Sequence, residues 1–157
     1  MAGLFGATLT QTITPSNPPK LMAGTVVAWD RTYNPSDPWA SNKVTNIADA
    51  IAVPGFVSNR DIAGVIVRSN LNYSDSDQVK GTELEIMRNG SIWVRNYGTT
   101  NINRSSITAI NSVAATPVTP SGAFGNSFGL IFNQPMTLQY QSIARPNETA
   151  ILNINLA

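Results

Sequence analysis

The chain contains no cysteine and no histidine. Disulfides, thiolate nucleophiles and Cys/His metal sites are therefore excluded. So is any acid–base step that depends on imidazole. Lack of cysteine suits a protein made in a reducing cytoplasm. Charge is also scarce. Only 12% of the 157 residues are charged, against roughly a quarter in ordinary soluble proteins. With a net charge of +1, the electrostatic footprint of a nucleic-acid binder is missing. Weak repulsion between copies favours an assembled state. No apolar run approaches the ~18 residues a membrane-spanning helix needs. The opening Met1-Ala2-Gly3-Leu4-Phe5-Gly6 has neither the basic region nor the apolar run of a secretory leader. Neither nucleic acid nor membrane is expected as a partner.

What is present points to strands. Apolar residues make up 42% of the chain, enough for a real core. Asn, Ser and Thr carry much of the polarity, which suits strands and turns and disfavours long solvated helices. Residues 1–20 read as an N-terminal arm. A short alternating stretch, Thr8 to Thr14, precedes Pro15-Ser16-Asn17-Pro18-Pro19, which imposes an extended path. One reading is a disordered terminus. The other is an arm that pairs with a neighbouring subunit, which gives Leu4, Phe5 and Leu9 something to bury against. Residues 21–157 then form a single β domain.

Along that domain, Leu21–Asp30 reads as a strand centred on Thr25-Val26-Val27. A loop rich in turn residues follows and contains Trp39. Val44–Val53 fits a short helix as well as a strand, and Pro54-Gly55 ends it. Ile62–Val67 is a buried strand. Further short strands are expected at Ile107–Val113, Leu130–Phe132, Met136–Ile143 and Glu148–Leu156. The fold class is all-β: a compact barrel or sandwich, β-clip, tulip-like or jelly-roll-like, with an extended N-terminal arm.

Val79–Asn96 carries the clearest local pattern. Leu84 and Ile86 alternate with Glu83 and Glu85, then Ile92 and Val94 with Trp93 and Arg95. The spacing predicts a β-hairpin. A two-residue Asn89-Gly90 turn mixes charged and apolar side chains on one face. A three-residue Arg88-Asn89-Gly90 loop, with Gly90 in the left-handed region, pairs Ile86 with Ile92 and Glu83 with Arg95. Burial selects the second register. Leu84, Ile86, Ile92 and Val94 are then scaffold, and the outer face offers Arg88, Asn89, Trp93 and Arg95 for contacts.

Catalytic patterns are weak. Glu83 and Glu85 share a strand face rather than flanking a cleft. Asp75 and Asp77 lack the continuation of a calcium loop. Gly122-Ala123-Phe124-Gly125-Asn126-Ser127-Phe128-Gly129 lacks the lysine and helix of a phosphate loop. Trp29, Trp39 and Trp93 are candidates for packing or for an inter-subunit contact, with sugar stacking ranked below both. No enzyme activity and no cofactor is expected.

Ala23–Trp29 (A-G-T-V-V-A-W), Ile62–Arg68 (I-A-G-V-I-V-R), Glu83–Gly90 (E-L-E-I-M-R-N-G) and Ser91–Val94 (S-I-W-V) occur in an order that resembles the structural cement, or head decoration, proteins of tailed bacteriophages. The resemblance spans roughly residues 20–96. It implies a non-enzymatic, homo-oligomeric protein, a dimer or trimer. Such a protein is made in the host cytoplasm and binds the major capsid protein on the outside of the virion head. The candidate contact residues are then Leu4, Phe5, Leu9, Trp39, Arg88, Asn89, Trp93 and Arg95. The alternative is a carbohydrate- or receptor-binding β-module of a fibre or adhesin.

Overall fold

The computed structural model describes residues 4–9, 23–32, 42–67, 83–104, 106–113, 116, 118–132, 136–138 and 143–156. Among them, strands β1 (Leu4–Leu9), β2 (Val26–Trp29) and β3 (Lys43–Asn46) precede two short helices, α1 (Ile47–Ala52) and α2 (Ser58–Asp61). Strands β4 (Ile62–Ile66), β5 (Glu83–Met87), β6 (Asn89–Arg95), β7 (Thr108–Ile110), β8 (Leu130–Phe132), β9 (Met136–Leu138) and β10 (Thr149–Asn155) follow. The architecture is all-β, as the alternation predicts. β1, β3, β2, β4 and β5 close into a barrel in that order, β6, β10 and β9 form a second sheet, and β7 pairs with β8.

The ambiguous stretch Val44–Val53 divides between both readings. Its first residues lie in β3, and Ile47–Ala52 turn into α1. Asn46 makes the switch. Its backbone is extended while its side chain accepts from the Asp49 N–H at 2.9 Å and donates to the Asp49 carboxylate at 2.9 Å. That is an N-cap closed reciprocally by an acid three residues on.

Two apolar clusters share the barrel strands. Ala7, Val27, Trp29, Val44, Ala63, Ile66, Leu84 and Ile86 form one. Val26, Ala28, Ile62 and Val65 face the other, with Val94, Ile110, Phe124 and the β10 residues Ala150, Leu152 and Ile154. β2 and β4 are therefore buried on both faces, which explains their near-continuous apolar sequences. Strict alternation along β4 would put Ile62 and Ile66 together, and Ala63 with Val65. Instead Ile62 groups with Val65 and Ala63 with Ile66. The extra step is a bulge: Val27 pairs with Gly64 but Ala28 pairs with Ile62. Gly64 sits at that bulge at φ 154°, and a β-carbon there would meet the Ile86 side chain and lie 2.6 Å from the Met87 carbonyl.

The expected hairpin does not form. β5 pairs with β1 on one edge and with β4 on the other. A strand has two edges, and both of these are taken. β6 therefore leaves the barrel and pairs along its length with β10, from Arg95 opposite Thr149 to Asn89 opposite Asn155. Glu83 and Arg95 belong to different sheets. Glu83 accepts from Thr8 Oγ1 at 3.0 Å instead. Gly90 does have positive φ, at 130°, but it lies within β6 opposite Ile154 rather than in a hairpin loop. The four apolar residues are scaffold in two separate clusters: Leu84 and Ile86 in one, Val94 with adjoining Ile92 in the other.

Leu4–Leu9, at the front of the expected arm, lies in the barrel as β1 between β3 and β5. Residues 10–20 lie outside the described residues.

Gly64→Ala should destabilise the protein by about 2 kcal/mol, because neither the Met87 backbone nor the packed Ile86 can yield cheaply. A urea titration should show a lower midpoint at unchanged slope. An unshifted midpoint would contradict the close approach.

Candidate contact surface

The corner between the sheets is held by Arg88. Its carbonyl accepts from the Leu156 N–H at 2.9 Å. Its guanidinium donates to the Ala63 carbonyl at 2.6 Å and reaches the Leu156 carbonyl at 3.4 Å. It also lies over the Trp29 ring, 5.8 Å from the centroid. Burial pushes its pKa down from the usual guanidinium value, while the main-chain carbonyls supply the acceptors a partly buried cation needs. Arg88 thus ties β4 to the end of the chain.

Beyond the corner, β6 and β10 alternate in step. Val94, Ala150, Leu152 and Ile154 point into the core. Ser91, Trp93 and Arg95 point outward, with Thr149, Ile151 and Asn153 opposite them. Trp93 is 60% exposed and is cross-strand from half-buried Ile151. On one side of this pair Ser91 Oγ donates to Asn153 Oδ1 at 2.6 Å. On the other, Arg95 donates to the Asn147 carbonyl at 3.3 Å and lies 5.6 Å from the Tyr97 ring centroid. The result is one large exposed aromatic on a rigid two-stranded base, bordered by polar groups and a cation. β6 is also an edge strand of its sheet.

A second network staples the segment between the helices. The buried Asp61 carboxylate accepts from the Val57 N–H at 2.8 Å and from Arg60 at 2.7 and 2.8 Å, with Arg31 at 3.8 Å. The same two arginines donate to the carbonyls of Pro54 and Gly55. Burial alone would push the Asp61 carboxyl up. The Arg60 and Val57 hydrogen bonds and the two guanidinium charges outweigh it and hold the carboxyl below its ordinary range. A carboxylate held ionised in this way is a structural anchor, not a base near neutrality. No group of three metal-ligating side chains occurs among the described residues.

Of the expected contact residues, Trp93 and Arg95 come together on the outer face, and Asn89 is exposed at its end. Arg88 is turned inward. Leu4, Phe5 and Leu9 are placed in β1 by their backbone. Trp39, Asp75 and Asp77 lie outside the described residues. Sequence reasoning missed Ile151 and Tyr97. Ile151 carried a signal, since it is apolar on the side of its strand that otherwise presents Asn153 and Asn155. No family model and no curated protein matches this chain.

Two outcomes follow. Arg88→Ala removes a charged donor to main-chain carbonyls and should cost about 2 kcal/mol, read as a lower unfolding midpoint. Asp61 has a folded-state pKa below its unfolded value, so its contribution is complete above the unfolded value of about 3.9 and is lost as pH falls through the folded one. Stability should therefore decline below about pH 4. Asp61→Asn should weaken that decline and lower stability at neutral pH by about 3 kcal/mol. Thermal melts of both proteins across pH 2–7 check this, and parallel pH profiles would refute it.

Proposed function

We propose that this chain is a cement protein of a tailed-bacteriophage head, binding the outer surface of the shell and bridging subunits of the major capsid protein. Trp93 carries the reading, as an exposed tryptophan on a strand whose other face is locked into the core. Large aromatics at rigid, partly rimmed positions are what protein contacts use as anchors. The phage assignment itself draws on the resemblance of residues 23–29, 62–68 and 83–94, which coincide with β2, β4, β5 and β6 and their flanks. Copies arrayed on one lattice bind with high avidity even when each contact is weak. In this reading the protein is homo-oligomeric and sits on the virion exterior.

The second reading is a carbohydrate- or receptor-binding module. It draws on the same Trp93, flanked by the polar Ser91–Asn153 pair, an arrangement that also suits an aromatic platform for a sugar ring.

Purified protein mixed with expanded shells that lack it should co-sediment with them. Trp93→Ala should weaken that binding roughly tenfold or more while leaving the melting temperature nearly unchanged. No co-sedimentation of the parent protein would overturn the cement reading. Glycan binding without shell affinity would select the alternative.

A further inference from the structure

The barrel is closed by its first strand, and the way β1 is held makes the closure exchangeable between copies. β1 does not pair with β2, its neighbour in sequence. It fills a slot between β3 and β5, antiparallel to β5 from Leu4 opposite Met87 to Thr8 opposite Glu83, and parallel to β3 at Thr8 and Leu9. Main-chain bonds along both edges hold it. Among its described side chains only Ala7 enters the apolar cluster, while Gly6 is exposed and a β-carbon on it would meet nothing within 4 Å. Recognition of that kind reads an extended backbone, so it does not distinguish a chain's own β1 from that of another copy.

The connector permits the exchange. Residues 10–25 separate β1 from β2. Fully extended, a chain of that length spans roughly 50 Å, enough to reach a second copy. We propose that strand β1 of one copy closes the barrel of a second copy, through the β3–β5 slot, making β1 the linking element of a homo-oligomer. Every bond of the closed barrel is kept in the exchanged form, so the exchange costs no native contact. Exchange of β1 is independent of what the outer face of β6 binds.

The absence of cysteine gives a clean test. Thr8 and Glu83 are cross-strand partners joined by a hydrogen bond at the edge of the barrel, and such partners suit a disulfide. The Thr8→Cys/Glu83→Cys double variant of the full chain is concentrated, oxidised and run on denaturing, non-reducing gels, with native mass measured in parallel by light scattering. Exchange predicts a native oligomer whose chains become covalently joined, at twice the chain mass or more. A covalently closed single chain would overturn it, as would a native monomer at high concentration. Absence of any disulfide would overturn it too, since residues 8 and 83 would then not meet in either copy.

Discussion

A strand offers two hydrogen-bonding edges and no more, and the whole arrangement turns on how β5 uses them. β1 takes one and β4 the other. The chain that leaves β5 must find its pairing elsewhere, and Arg88 is where it is redirected. Its carbonyl and guanidinium both bind the last residues of the chain, and the guanidinium also caps carbonyls at the start of β4. The cation is satisfied by main-chain carbonyls that this corner brings together. The barrel, the second sheet and the C-terminus therefore meet at one side chain.

The same constraint decides where the apolar residues go. Because the second sheet packs against the barrel wall, β2 and β4 have no polar face left. Val26 and Ala28 serve one cluster, Val27 and Trp29 the other. β4 must also conform to β5, and the bulge at Gly64 resets its alternation so that Ala63 and Ile66 face the same cluster. A single glycine thus reconciles the barrel's curvature with a strand buried on both sides.

This explains which parts of the fold were legible in the sequence. Strand positions follow local pattern, and Ile62–Val67, Leu130–Phe132 and Glu148–Leu156 were all readable from it. The faces of Leu84, Ile86 and Val94 were readable as well, since β5 and β6 keep the simple alternation that β4 loses at its bulge. Partners are a different matter. Glu83–Arg95 satisfied every local rule for a hairpin, yet β6 pairs with a strand more than fifty residues away, and nothing within residues 79–96 records that β5 is already flanked. The Asp61 network was hidden for the same reason, since Arg31 meets Asp61 only through the fold. On the outer face, Trp93 and Arg95 were visible as alternates to buried residues. Arg88 read as a loop tip because its carbonyl partners lie on β4 and at the chain end.

The division of labour along β6 follows from these constraints. Val94 belongs to the core and Ile92 packs against it, so changing either disturbs the fold. Ser91, Trp93 and Arg95 bear on no buried cluster and are free to be chosen for contact. Their backbone is fixed by seven register positions against β10, so a partner meeting Trp93 immobilises only its two side-chain torsions. Less ordering entropy is then lost at this side chain than a long flexible one would lose. Among the described residues Trp93 is thus a large exposed side chain whose backbone is fixed on both flanks by the β10 register.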